Sequence, residues 1–263
     1  MNRSIGRLFL TYLIIIATIY ICEHVSFWLY PLAILVLCNQ YLTLTLLGHE
    51  GVHGLLHKNR IVNRTLARYL CHFPFLISYT HYSMNHLRHH RNLGTDQDPD
   101  IQIYQMAYPS LSSWLMQSIV NLLNFSILKH FLAYFNGSAA FLSGNYPFQI
   151  KTDYLQFFLF WFLALVFVFK FSLQFDFILY WLVPLFLLLP WSQLMNSYQH
   201  YSENQRLEGR AHTILFENIF IKEFLFPINV NYHETHHQRP NEPYFKLPRI
   251  YKKSTNSYSF LEF

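Results

Sequence analysis

The sequence has little charge, few cysteines and no long run of basic residues. Charged residues make up 13% of the 263 residues, about half the usual share for a soluble globular chain. This shortage excludes a disordered chain, a coiled coil and a basic nucleic-acid-binding arm, and it argues against an ordinary cytosolic enzyme. The three cysteines (Cys22, Cys38 and Cys71) lie in apolar stretches, without the spacing of a metal site, a redox pair or an iron–sulfur cluster. We therefore expect no nucleic-acid partner.

Apolar and aromatic residues take the place of the missing charge. Hydrophobic residues make up 52% and aromatic residues 19% of the chain, a composition that predicts a membrane protein. The mean hydropathy is only +0.16, so a large part of the chain must lie in water. Because no repeat, low-complexity tract or Gly/Ser linker divides the sequence, we treat 1–263 as one domain.

Four stretches are long and apolar enough to cross a bilayer, which takes about 20 residues. They are 5–22, 27–47, 154–169 and 177–195. The connection between the members of each pair is short, which predicts two helical hairpins. The first stretch follows Arg3 and Arg7 as a signal peptide would, but it has no small-residue cleavage site and a second apolar run follows it.

The distribution of Lys and Arg predicts which face each polar block occupies. If the N-terminus is cytoplasmic and the four stretches span, 18 of the 19 Lys and Arg residues are cytoplasmic, with Lys170 as the exception. The polar blocks 48–153 and 196–263 and both termini then share the cytoplasmic face. The predicted fold is an all-α integral membrane protein, with four transmembrane helices as two hairpins and a cytoplasmic helical cap.

A further apolar segment, 111–135, would reverse this topology if it crossed the membrane. Its polar residues argue against that, because they recur at helical spacing and form one polar stripe: Ser113, Gln117, Asn121 and Asn124. We expect an amphipathic helix that lies in the membrane interface.

Nine of the fifteen histidines fall into four short motifs. The motifs are His49-x3-His53, His86-x2-His89-His90, Asn196-x3-His200 and His233-x2-His236-His237. Residues three and four apart share one face of a helix, so each motif directs its imidazoles toward one point. An HxxHH pattern is expected by chance only about 0.05 times in such a chain, so two copies are a strong signal.

These histidines predict a metal centre that contains two ions. Packed imidazoles repel one another when protonated and leave nitrogens without hydrogen bonds when neutral, and a metal ion that binds neutral imidazoles resolves both problems. With no thiolate and few carboxylates in the set, nitrogen-binding metals such as Fe, Zn or Cu are favoured. Nine imidazoles exceed the roughly four to six ligands of one ion, and all must lie on one face of the membrane.

The order and spacing of the motifs, together with the four apolar stretches, resemble the membrane fatty acid desaturase superfamily. That superfamily also contains alkane hydroxylases and the β-carotene ketolases and hydroxylases. The stretch 94–100, after the second motif, also fits the superfamily. The stretch 243–248, after the third motif, resembles the fatty acid desaturases more than the carotenoid enzymes. The resemblance covers nearly the whole chain.

The resemblance implies two non-haem iron ions and O2 as a co-substrate that oxidise an unactivated C–H bond. Its implied ligands are His49, His53, His86, His89, His90, His200, His233, His236 and His237, with Asn196 as a weaker position that acts through water. Asn229, four residues before His233, competes with Asn196. Glu50, Asp96 and Asp98 are candidates to orient a ligating imidazole, although for Asp96, Asp98 and Asp100 we favour a solvated turn.

We favour desaturation of a fatty acyl chain that lies in an apolar slot among the helices. Hydroxylation or ketone formation on an acyl, alkane or carotenoid substrate stays open, because both reactions begin with the same hydrogen abstraction. His49-Glu50-Gly51-Val52-His53 also fits the HExxH pattern of zinc proteases, but a zinc protease would leave both HxxHH motifs unexplained.

Since no electron-transfer domain is present in the sequence, the two electrons must come from a ferredoxin, rubredoxin or cytochrome b5-type partner.

Overall fold

The architecture is taken from a computed structural model of the chain. The structure describes residues 3–100, 148–200, 211, 213–215 and 218–258, together with residues 112, 116 and 119. The interfacial helix predicted at 111–135 therefore lies outside the described residues, apart from these three positions. The described residues are helical, with one isolated antiparallel bridge between Thr213 and Tyr232.

The first two helices are long and apolar. Helix α1 covers Arg3–His24 and carries no acidic residue in its first turn. A 3-10 turn at Phe27–Leu29 leads into α2, Tyr30–Val52, which has proline in its first turn. Proline suits that position because the N–H groups there have no partner within the helix. Helix α2 therefore begins soon after α1 ends and continues to the first histidine motif.

The chain then forms a broken helical segment and a second histidine-bearing helix. Helix α3, Arg60–Leu66, is capped by Asn59, whose side-chain oxygen accepts hydrogen bonds from the N–H groups of Ile61 and Val62. It continues into a π-helical turn, Ala67–His72, and a 3-10 turn, Phe73–Phe75. Helix α4, Tyr79–Asn92, follows directly.

The part of the second half that the structure describes contains two further long helical stretches and three short helices. They are α5, Phe148–Lys170; α6, Gln174–Phe177; a π-helical turn, Ile178–Leu182; α7, Val183–His200; α8, Ile219–Leu225; α9, His233–Gln238; and α10, Leu247–Tyr258. The π-helical turn joins α6 to α7 without a break. Asn218 caps α8 in the same way as Asn59 caps α3.

Among the described residues, four helical stretches are long and apolar enough to cross a membrane: Arg3–His24, Phe27–Val52, Lys151–Lys170 and Gln174–Ser192. This confirms the prediction of four apolar helices of spanning length. Helix α2 extends beyond the predicted 27–47, because a helix keeps its backbone hydrogen bonds after its apolar run has ended. The pairing into hairpins and the cytoplasmic cap stay predictions.

Helix α2 is the central helix of the described bundle. In its most apolar stretch 61% of the residues are buried, against 17–28% in the other three. Its leucines Leu37, Leu42 and Leu47 are at most 1% exposed and belong to one apolar core with Ala67 and Cys71. The helix that carries the first histidine motif is therefore held on several sides.

Candidate metal centre

The first histidine motif lies where α2 ends. His49 is in the last turn of α2, and His53 follows its last residue. The buried side chain of Asn63 fixes this end, since its amide donates to the carbonyl of Gly51 (2.7 Å) and its oxygen accepts from the N–H of Leu56 (3.0 Å). The structure thus satisfies backbone groups that have no partner at a helix terminus.

The second motif lies on α4, and the first turn of α4 is hydrogen-bonded to α5. Ser78 caps the helix by accepting from the N–H of His81 (3.2 Å). Asp153 of α5 accepts hydrogen bonds from the Ser78 hydroxyl and from the N–H of Thr80, and its carboxylate lies 2.8 Å from Nε of Arg68. This fully buried carboxylate therefore sets the position of the helix that carries His86, His89 and His90.

The third motif lies on the short helix α9 and is preceded by two left-handed residues, Ile228 (φ 51°) and Asn229 (φ 58°). A left-handed residue other than glycine costs about 1–3 kcal/mol, so its surroundings must hold it in place. Ile228 is buried. The oxygen of Asn229 accepts from Nζ of Lys222 (2.7 Å), and its amide donates to the carbonyl of Tyr244 (3.3 Å). Asn229 is therefore engaged away from the histidines.

The fourth motif is at the end of α7, where His200 is the last residue and is buried. The preceding residue, Gln199, donates from its amide to the carbonyl of Val230 (2.8 Å), which links α7 to the approach to the third motif. Asn196 lies one turn earlier in α7, and its side chain is outside the described part of the structure.

All nine predicted histidines come together in two adjacent clusters. Within each cluster, one ring nitrogen from every member lies within 4.8 Å of the others. The five-histidine cluster contains His49, His53, His86, His90 and His236, and the four-histidine cluster contains His89, His200, His233 and His237. Each HxxHH motif contributes to both clusters, so the two candidate sites share their supporting helices.

The spacing within the clusters fits metal ions. Successive Nε2 atoms of His53, His86, His90 and His236 are 2.9, 3.0 and 3.1 Å apart. In the other cluster, Nε2 of His233 is 2.9 Å from that of His200, and Nε2 of His237 is 3.0 Å from that of His233 and 3.3 Å from that of His89. Two nitrogens bound at right angles to one ion, each at about 2.0–2.1 Å, lie about 3 Å apart.

The protonation state of the histidines also suits metal binding. Burial, followed by repulsion from neighbouring imidazoles, lowers the pKa of His86, His233, His236 and His237 far below the usual value, and the pKa of His90 to about 3. Burial alone lowers the pKa of His53 to about 4. These rings are neutral at pH 7, as a ligating imidazole must be. The buried Nε2 of His49 has no hydrogen-bond partner among the described residues, which leaves it available to a metal ion.

Of the three carboxylates predicted to orient a ligand, Asp98 alone is placed behind a cluster histidine. Asp98 is buried, and Nδ1 of His89 lies 2.9 Å from its Oδ1. Its other oxygen accepts from the N–H of Gly94 (3.0 Å). Asp96 is exposed, as expected of a solvated turn, whereas Asp100 lies 3.7 Å from Nδ1 of His89.

The third of these carboxylates, Glu50, contacts the segment that follows the third motif. The carboxylate of this buried residue accepts a hydrogen bond from the N–H of Tyr244 (3.1 Å). It also lines a small cavity of ≈ 20 Å³ beside His49, His233 and His236, room for about one water molecule. Glu50 therefore connects the first motif to the third through the backbone.

Replacing Asp98 with alanine should weaken metal binding, because His89 loses the acceptor that fixes its ring. Loss of such a partner costs about 10- to 100-fold in metal affinity. Titration of the metal-free protein with Fe(II), followed by metal analysis, measures the effect. Asp96→Ala is the matched control, since it removes an exposed carboxylate two residues away. Equal affinities for the two variants would contradict the role of Asp98.

An apolar cavity of ≈ 270 Å³ lies beside the five-histidine cluster. Helix α2, the turn after His72 and helix α7 form its walls: Leu42, Thr45, Leu46, His72, Phe75, Leu76, Ile77, Tyr82, Leu185, Leu188, Leu189, Ser192 and Met195. Tyr82 connects it to the histidines, because its ring lies parallel to that of His86 with the centroids 5.7 Å apart. The cavity thus ends one side chain away from the candidate metal centre.

Comparison with known proteins identifies the family. The family model described as fatty acid desaturase matches residues 24–259. Dihydrorhizobitoxine desaturase of Bradyrhizobium elkanii is 26% identical over 87% of this chain and 68% of its own length. The ferredoxin-type sn-1 acyl-lipid omega-3 desaturase of Synechocystis sp. is 25% identical over 94% of this chain and 73% of its own length. The matched region contains all four histidine motifs and three of the four apolar helices, since the first of these helices precedes it. The chain belongs to the fatty acid desaturase family.

Proposed function

We propose that the protein is a membrane-bound diiron oxidoreductase that uses O2 and two electrons to introduce a double bond into a fatty acyl chain. The observation that carries the proposal is the pair of histidine clusters beside an apolar cavity. The five-histidine cluster would hold one iron ion, and the four-histidine cluster, with Asn196 as a further candidate ligand, would hold the other. When bound, the iron ions supply activation of O2 and removal of hydrogen from an unactivated methylene.

The protein's own residues make the cavity apolar. The hydroxyl of Thr45 donates to the carbonyl of Leu42, and that of Ser192 donates to the carbonyl of Leu189, both at 2.9 Å. Both polar groups are thereby satisfied by their own helices, and leucine, isoleucine, methionine and phenylalanine dominate the remaining wall. At ≈ 270 Å³ the cavity is close to the lower end of the roughly 300–1,000 Å³ range of ligand pockets. An alkyl chain fits this lining.

The relatives support the reaction more firmly than the substrate. One is named for an acyl-lipid and the other for dihydrorhizobitoxine, so the acyl substrate of this chain is proposed from its cavity. Hydroxylase or ketolase chemistry is the second candidate, because the same site and cavity suit it. The zinc protease alternative is weakened by Glu50, since the carboxylate that would act as its general base accepts the N–H of Tyr244.

We further propose that both termini and the histidine clusters lie on the cytoplasmic face, where an external electron donor docks. Helix α4 turns His86, His89 and His90 inward and leaves Arg88 and Arg91 exposed on its other side. A ferredoxin, rubredoxin or cytochrome b5-type donor with an acidic surface would complement these cations and come within one helix diameter of the ligands.

Reversing both charges, in the variant Arg88→Glu/Arg91→Glu, should slow reduction by an acidic donor. Rim charges mainly change the association rate, so we expect about a 10-fold or larger loss of donor-dependent rate at low salt and a smaller loss at high salt, where charges are screened. Stopped-flow reduction by a plant-type ferredoxin measures it. The variant Lys252→Glu/Lys253→Glu, with the same charge change on α10, is the control. An unchanged rate and salt dependence would contradict docking on α4.

Metal and product analysis tests the proposed function. The protein is purified in detergent from iron-supplemented cells, Fe and Zn are quantified, and lipids of expressing and non-expressing cells are compared by mass spectrometry. About two Fe per chain and new double bonds are expected. Two Fe with oxygenated products would keep the site but make the protein a hydroxylase. One Zn and unchanged lipids would contradict the diiron proposal.

A further inference from the structure

The segment 67–77, which contains the π-helical turn, the 3-10 turn and residues 76 and 77, packs antiparallel to α2. A Cβ atom built on Gly51 would lie 2.5 Å from Cβ of Ala67, and one built on Gly48 would lie 2.5 Å from the ring of His72. Farther along, the rings of Tyr41 and Phe75 are 5.1 Å apart. The segment therefore follows α2 backwards from residue 51 to residue 41, about 15 Å along the helix axis.

All four long apolar helices contact the segment 67–77 near their midpoints. The Tyr12 hydroxyl donates to the carbonyl of Leu70 (2.6 Å), the indole of Trp161 to that of Phe73 (2.9 Å), and the indole of Trp181 to that of Pro74 (2.8 Å). Tyr41 of α2 supplies the ring contact. Irregular backbone at membrane depth is tolerated only where its polar groups have protein partners, and these donors provide them.

The residues just before and just after the segment 67–77 contact α2 at the same level of that helix. On the way in, Asn63 donates to the carbonyl of Gly51, and on the way out the hydroxyl of Tyr79 contacts the same carbonyl (3.4 Å). Between them Leu76, with φ 60°, reverses the direction of the backbone. Helix α4 then returns to the histidine clusters, so the segment 67–77 turns back without crossing the bundle.

We infer that the segment 67–77 re-enters the bilayer from the side of the histidine clusters, and that Phe75 at its tip determines the length of the alkyl chain that the cavity accepts. Phe75 lines the cavity together with Leu42 and Leu185, seven and fifteen residues from His49 and His200 along α2 and α7. Tyr82 and Met195 line the opposite end, close to the histidines. An alkyl chain that passes the metal centre therefore has its methyl end against Phe75.

This inference rests on the proposed function, because it takes the cavity as the acyl site. A chain one methylene too long for a hydrophobic pocket loses about 10-fold or more in binding. We expect a sharp upper limit of length in the wild type. Phe75→Ala should move the limit to longer chains and raise the affinity of the first excluded chain about 10-fold or more. Phe75→Leu should move it less.

The test uses the iron-loaded protein in detergent without an electron donor, so that binding is measured without turnover. Saturated fatty acids of increasing length compete with a fatty acid that carries a diazirine at its methyl end, and photolabelling is quantified by mass spectrometry. Phe73→Ala is the matched control, since Phe73 is a fully buried phenylalanine of the same segment that does not line the cavity. The photolabel should attach within 72–77 or near Leu185 in the wild type.

A longer limit in both Phe75 variants, with an unchanged limit in Phe73→Ala, supports the inference. The same limit in all variants overturns it, as does an equal shift in Phe73→Ala. If the photolabel attaches to the wild type away from 72–77 and Leu185, the inference is also overturned. This measurement needs no variant, so it decides the question even if Phe75→Ala does not fold. If no fatty acid binds the wild type, the acyl substrate of the proposed function is itself contradicted. That result differs from normal binding with the same chain-length limit in all variants, which contradicts the role of Phe75 alone.

Discussion

Replacing His237 with alanine is expected to lower the iron content from about two atoms to about one per chain and to abolish the formation of double bonds. His237 is central in the smaller cluster, with its Nε2 atom 3.0 Å from that of His233 and 3.3 Å from that of His89. Its loss leaves three imidazoles. The drop in activity should exceed the roughly 10- to 100-fold that loss of an outer partner causes.

The five-histidine cluster provides an internal comparison for this variant. His236→Ala leaves four imidazoles there, so this variant should retain more iron than His237→Ala while also losing activity. His57→Ala is the control, because His57 belongs to neither cluster and its Nδ1 accepts from the N–H of Asn59 (3.0 Å). Iron analysis and lipid mass spectrometry are run on all three variants. Two Fe per chain and wild-type products in His237→Ala would contradict the assignment of the smaller cluster as a metal site.

The histidine motifs could be predicted from the sequence because their geometry is local. On one helix the spacing alone brings His86 and His90 to one face, and the structure places their Nε2 atoms 3.0 Å apart. The four apolar helices are equally local, since length and hydropathy identify them. The contacts that hold the motifs in place could not be predicted from local spacing, because they join distant parts of the chain. Asp153, for example, lies 75 residues from the serine whose hydroxyl it binds.

The aspartates after the second motif show where local reasoning ends. Asp96, Asp98 and Asp100 alternate along one turn, and the sequence favours the same solvated setting for all three. In the structure Asp98 is buried beside His89 and Asp96 is exposed. Asp100 is intermediate in exposure. Which carboxylate faces inward depends on the dihedral angles of the turn at Gly94 (φ 73°). Likewise, hydropathy assigns 67–77 to a polar block, although its contacts place it among the apolar helices.

Asp153→Ala is expected to destabilise the protein by about 3–5 kcal/mol, the usual cost of breaking a buried charged contact from one side. The substitution leaves Arg68, whose side chain is 22% exposed, without the carboxylate that lies 2.8 Å from it. It also removes the acceptor for the Ser78 hydroxyl and the N–H of Thr80. Because these groups form the first turn of α4, His86, His89 and His90 should lose their fixed position as well.

The measurements are the melting temperature in detergent and the iron content of the same sample. Asp153→Asn keeps an oxygen acceptor and loses the charge. Its melting temperature and its iron content should therefore be intermediate between those of the wild type and those of Asp153→Ala. Asp176→Ala, at the first turn of α6, is the control for loss of an acidic residue beside an apolar helix. If Asp153→Ala lowered stability but left two Fe per chain, α4 would hold its ligands without α5. Loss of both would show that a carboxylate that contacts no cluster histidine sets their geometry through the helix that carries them.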